Sequence, residues 1–132
     1  MAKRITEMKH QTAVIRWAKQ PSIRQQYPEL KLLFHIKNEN REGGAQAVAI
    51  DKAMGVKKGV CDLCLPVARG EYHGLFIEMK SLSGRAREEQ LWWIDELKAQ
   101  GYYAEVCKGY LEAIKLLQWY LDLPRFSYGI PV

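Results

Sequence analysis

The chain has 132 residues, of which 48% are hydrophobic and 27% charged, and a formal net charge of +5. That length suits one domain able to bury its own core without staples, and the composition is that of a globular chain rather than a disordered or fibrous one. No stretch approaches the roughly 20 apolar residues of a spanning helix, and Met1 to Thr6 is polar and basic with no apolar run behind it, so no membrane or export segment is expected and the protein is placed in the cytoplasm.

Three cysteines without an export signal point to reduced thiols. A sequence pI of about 9.1 suits a phosphate-rich partner but does not identify one.

Taken in chain order, Thr6 to Lys19 is predicted helical, with Met8, Ile15 and Ala18 on one face and Val14 and Trp17 widening it. Pro21 ends it, and a polar connector runs to Pro28. Leu30 to Ile36 is a short apolar run expected to be a strand. A second helix spans Gly44 to Met54, with Gly55 at its C-terminal cap. Val60 to Val67 and Gly74 to Lys80 are strands joined as a hairpin by the turn-like residues 68–73. After a loop over Ser81 to Arg85, a helix covers Ala86 to Gln100, with Leu91, Ile94, Leu97 and Lys98 in its period and Gly101 at its end. A strand over Tyr102 to Cys107 and a helix over Gly109 to Leu121 follow.

The order α-β-α-β-β-α-β-α contains a β-α-β unit from strand 74–80 through helix 86–100 to strand 102–107, which makes those strands parallel. The expected fold class is α/β, a mixed sheet flanked by helices. One domain over residues 1–132 is expected, with its core at 6–121. Residues 122–132 form an irregular tail in which Phe126, Tyr128 and Ile130 could anchor on apolar surface.

The chemistry concentrates in Gly74-Leu-Phe-Ile-Glu-Met-Lys80. The run Leu75-Phe-Ile77 marks a central, buried strand, and strand alternation points Glu78 and Lys80 to one side and Ile77 and Met79 to the other. Charges at the end of a buried strand are costly unless they pair or bind a metal. By itself the pattern describes a salt-bridged strand end. Asp62 changes this, because the hairpin brings it to the same end. Two converging carboxylates can hold a hard divalent cation such as Mg²⁺ through oxygen. Such an ion acidifies a bound water and offsets charge on a phosphate, while Lys80 can orient or deprotonate that water.

The sequence Gly59-Val-Cys-Asp-Leu63, then Phe76-Ile-Glu-Met-Lys-Ser81, Gln90-Leu-Trp-Trp93 and Gly101, resembles the PD-(D/E)XK nuclease superfamily. More narrowly it is similar to the VRR-NUC (virus-type replication-repair nuclease) family in its stand-alone phage form. Glu7-Met-Lys-His-Gln11, Asn38, and the last helix with Glu112-Ala113 extend the likeness over residues 6–121. Cys61 stands where the family usually has proline.

The resemblance implies a restriction-endonuclease-like fold and a DNA endonuclease using Mg²⁺ or Mn²⁺. It makes Asp62, Glu78 and the Met79 backbone carbonyl metal ligands, with Glu7 joining directly or through water. Lys80 becomes the catalytic lysine, and Gln90 the family's glutamine beside it. It also implies a homodimer acting on branched DNA, in the host cytoplasm if phage-encoded. For a nuclease, Lys57, Lys58, Arg85 and Arg87 are expected to contact phosphates, with Arg41, Asn38 and Gln11 as further DNA contacts. The alternatives are an inert DNA-binding or assembly module of the same fold, or a ribonuclease.

Other signals weigh less. Cys61-Asp-Leu-Cys64 is formally C-x-x-C, but a zinc site wants four ligands and only Cys107 remains. His10, His35 and His73 show no ligand spacing. Trp92 and Trp93 could stack bases, but adjacent helical residues diverge by about 100°, so core packing is expected for at least one.

Overall fold

The computed structural model describes residues 2–37 and 43–125, with the backbone alone for residues 2–5. Helix α1 (Ala2–Ala18) opens the chain, followed by α2 (Pro21–Gln26), a 3₁₀ turn (Pro28–Leu32) and strand β1 (Phe34–His35). Helix α3 (Gly44–Ala53) precedes the hairpin strands β2 (Leu63–Leu65) and β3 (Leu75–Lys80), and α4 (Glu88–Ala99), β4 (Tyr103–Lys108) and α5 (Tyr110–Leu121) complete the order. The four strands form one sheet in the order β1-β2-β3-β4. β1 and β2 are antiparallel, as are β2 and β3, while β3 and β4 run parallel. This is the mixed sheet flanked by helices that the β-hairpin and β-α-β patterns predict.

The start of the chain departs from expectation. The connector after Pro21 is a short helix, because proline at a first helical position loses no hydrogen bond and presets the backbone. Pro28 starts the 3₁₀ turn the same way, so the apolar run at 30–36 is mostly turn and only Phe34 and His35 pair as strand. On α1, Val14 and Ala18 are buried, whereas Met8 is 58% exposed.

Alternation along β3 sorts its side chains between two cores. Leu75, Ile77 and Met79 join Leu63 and Leu65 in the larger core, which Val14 and Ala18 of α1 and Ala113, Leu116 and Leu117 of α5 complete. Tyr120 of α5 is fully buried there and donates its hydroxyl to the Val67 carbonyl at 2.7 Å, pinning α5 to the end of the hairpin. Phe76 belongs to the smaller core with Cys61, Ile94 and Ala104. Glu78 and Lys80 continue the Phe76 side; Glu78 meets Gln90 of α4, while Lys80 lies between Glu78 and Glu7 of α1.

The buried residues of α4 are Gln90 and Ile94. Its inward face is set one position away from Leu91, which is exposed. Neither tryptophan enters a core. Trp92 is 57% exposed, and Trp93 is half-buried, donating its indole N–H to the Lys58 carbonyl at 3.0 Å. That bond holds the loop leading to Asp62 against α4.

Gly59 makes this approach possible. Its φ is +85°, and a Cβ there would lie 2.8 Å from Glu89 Cγ and 2.9 Å from the Glu89 backbone. Gly59→Ala is expected to destabilise the fold by about 2 kcal/mol or more, through strain and a contact with backbone that cannot yield. Urea unfolding checks this, with a lower midpoint at an unchanged slope as the expected result. The last described residues are also tied down. Pro124 accepts a hydrogen bond from the Gly70 N–H at 2.6 Å, and Tyr27 donates to Asp122. Phe126, Tyr128 and Ile130 lie outside the described residues.

Candidate active site

The hairpin register sets Leu63 opposite Ile77, so Asp62, one residue before β2, falls beside the Glu78 end of β3. The Asp62 carboxylate accepts the Met79 backbone N–H at 2.8 Å, which aims it across the sheet. Glu78 is 2% exposed. Its Oε2 accepts from Gln90 Nε2 at 3.0 Å and lies 3.4 Å from Lys80 Nζ. Its Oε1 is buried and receives no hydrogen bond from any donor among the described residues.

Lys80, 5% exposed, also lies 3.9 Å from Glu7 Oε1 on α1. The structure thus brings Asp62, Glu78, Lys80 and Gln90 together directly, and Glu7 reaches the group through Lys80. Gln90 serves twice. Its Oε1 accepts the Arg87 N–H at 2.8 Å at the start of α4, so the cap of that helix fixes the amide that holds Glu78.

Burial and the facing Asp62 charge push the Glu78 carboxyl up to about 9, only partly offset by Lys80. Protonated Glu78 can hydrogen-bond to Asp62, so one proton bridges two carboxyls that would otherwise repel. A cation is the other occupant that relieves the same repulsion. The donors suit a hard ion. They are carboxylate oxygens, and the nearby Cys61 thiol is held at about 12 by burial and by Glu78 and Asp62, so it offers no thiolate. Among the described residues, no three His, Cys, Asp or Glu side chains form a ready-made cage. An ion here would complete its shell with backbone carbonyl and water, as Mg²⁺ commonly does.

The remaining site residues take varied places. Lys58 Nζ and Arg87 Nε each lie 3.9 Å from Glu89 Oε1, in the first turn of α4. Lys57 and Arg85 are exposed on the loops leading into Asp62 and out of Lys80. Gln11 is half-buried, its amide 3.0 Å from His35 Nδ1. Asn38 and Arg41 lie outside the described residues. The three cysteines are free and buried, so C-x-x-C forms no disulfide.

Two residues beside the site escape sequence reasoning. Ser81 follows Lys80 and buries a hydroxyl with no hydrogen-bond partner among the described residues, and His35 lies 2.8 Å from the Asp62 carbonyl oxygen. A partner 27 positions away, engaged through its backbone, leaves no motif.

Comparison with known proteins adds family information. The VRR-NUC domain model matches residues 5–111. A solved structure described as a "VRR_NUC domain protein" is 36% identical, covers 92% of each chain and superposes with a TM-score of 0.76. No curated protein matches.

Proposed function

The chain belongs to the VRR-NUC family, and on that premise we propose that it is a nuclease hydrolysing DNA phosphodiester bonds with Mg²⁺ or Mn²⁺ as cofactor. The observation that carries this proposal is Glu78 Oε1, a buried acceptor with no donor among the described residues, beside a second carboxylate. Asp62, Glu78 and the Met79 carbonyl would hold the ion, with Glu7 joining directly or through water. When bound, the ion supplies Lewis acidity toward water and neutralises charge on the phosphate.

The residues then divide the work. Gln90 holds Glu78 by one oxygen and leaves the other open. The Met79 N–H aims Asp62. Lys80 presents an ammonium next to Glu78, where it orients the attacking water and offsets charge on the scissile phosphate. Lys57, Lys58, Arg85 and Arg87, with Gln11, Asn38 and Arg41, are assigned to the DNA backbone, where such contacts give affinity without sequence preference. Family membership supports two finer assignments: a branched substrate, and a homodimer whose two-fold symmetry offers two sites to a junction.

A panel of labelled linear, nicked, flap and four-way-junction DNAs, with one RNA, tests this in Mg²⁺, Mn²⁺ and EDTA. Cutting of branched DNA that EDTA abolishes is expected. Equal cutting of every DNA removes the structure preference, cutting of RNA alone makes the protein a ribonuclease, and no cutting with either ion makes it an inert module.

A further inference from the structure

Asp62 stands just before β2, where ladder bonding begins, and the neighbouring edge strand β1 has two residues. Few ladder bonds are available to fix its backbone. Its carbonyl oxygen accepts the Ile36 N–H at 2.8 Å and also lies 2.8 Å from His35 Nδ1. A carbonyl can only accept, so a contact this short requires the proton on Nδ1. Nδ1 then has no lone pair for the Gln11 amide nitrogen placed 3.0 Å away. The two ends of that amide are sterically alike, and its oxygen is the end that fits, as a second acceptor of the same N–H. His35 in this form joins the Asp62 backbone to α1, where Glu7 lies one turn before Gln11.

We propose that His35 is a positioning residue for Asp62. Its Nδ1–H, with the Ile36 N–H, clamps the Asp62 carbonyl while the Met79 N–H clamps the carboxylate. The side chain is thereby presented to the cation already aimed. The functional consequence rests on Asp62 acting as a metal ligand, as proposed above, whereas the clamp rests on geometry alone.

Three variants separate the terms. His35→Asn keeps an N–H near Nδ1, His35→Gln moves it toward the Nε2 position, and His35→Phe keeps the ring without a donor. Mn²⁺ binding by calorimetry is expected to stay within about threefold of the parent for H35N. It should weaken about 10- to 100-fold for H35Q and H35F, the usual cost of losing a residue that orients a ligand, with the KM for DNA unchanged. A merely structural role does not favour Asn, the smallest of the three.

Nitrogen-15 NMR of the parent should show the neutral ring protonated at Nδ1, and the Asp62 carbonyl carbon should shift in H35F but not in H35N. A neutral ring protonated at Nε2, or Mn²⁺ binding by H35F equal to the parent's, overturns the proposal. If the parent binds no Mn²⁺, the metal-nuclease function fails, and the ring tautomer and carbonyl shift still decide the clamp.

Discussion

Asp62→Asn and Lys80→Ala are each expected to lower the DNA cleavage rate by about 10³-fold or more while leaving the fold and metal-free DNA binding intact. The magnitude follows from removing a ligand charge or a preorganised cation in a buried site, where electrostatic contributions are large. Asparagine is the informative change at 62. The Asp62 carboxylate accepts the Met79 N–H, and alanine would strand that donor at about 1–3 kcal/mol, mixing a folding defect with a catalytic one. Asparagine keeps an acceptor oxygen for that N–H while it removes the charge and turns the second oxygen into an amide donor.

At position 80 the logic is different. Lys80 offsets part of the upward push on Glu78, so its removal leaves Glu78 protonated rather than stranded as a lone buried charge, and the fold tolerates the change. Lys80→Arg is not a rescue, because a guanidinium is bulkier and differently shaped than the ammonium at this buried position. Single-turnover cleavage and a binding assay in EDTA check both variants. Rates within threefold of the parent in both would sink the assigned roles of Asp62 and Lys80.

The legible parts of this protein are those whose signals are local. The apolar run before Glu78, the spacing of two between Glu78 and Lys80, and a hairpin that returns Asp62 to the same end are readable from strand alternation alone. The sheet they predict is the one observed. The parallel β4 follows from the intervening α4 in the same way. The early elements are less legible because Pro21 and Pro28 act as helix starters, a role that looks the same in sequence as a break.

Helix α4 shows a second limit. Its apolar residues outnumber its buried ones, so periodicity alone cannot tell that Gln90 and Ile94 turn inward while Leu91 and Trp92 face out. A polar residue on the buried face is readable only once its target, Glu78, is known. His35 is a third kind of case. Its contact is with a backbone carbonyl, which every residue possesses, and no residue type announces it.

Glu78→Gln is expected to abolish cleavage and, in the absence of metal, to make the protein more stable above neutral pH. The unfolded chain releases this proton near 4.5, whereas the native state keeps it to about 9. Between those values the native state binds more protons than the unfolded one, so stability falls as pH rises through the window and levels off above it. Glutamine has no proton to lose and fits the same bonds, with its oxygen accepting from Gln90 and its amide N–H reaching Asp62.

At pH 8 the variant should be more stable than the metal-free parent and melt at a higher Tm, and the difference should vanish near pH 4. Divalent metal acts against this difference. Binding must displace the Glu78 proton, so Mn²⁺ affinity in the parent should climb up to tenfold per pH unit until about pH 9. Saturating Mn²⁺ should then stabilise the parent by about 2.7 kcal/mol at a hundred times its Kd and leave the variant unchanged. Thermal melts of both proteins from pH 4 to 9, with Mn²⁺ and with EDTA, decide it. A metal-free variant less stable than the parent at pH 8 contradicts a Glu78 carboxyl held protonated by its surroundings, and equal Mn²⁺ stabilisation of both contradicts its assignment as a ligand.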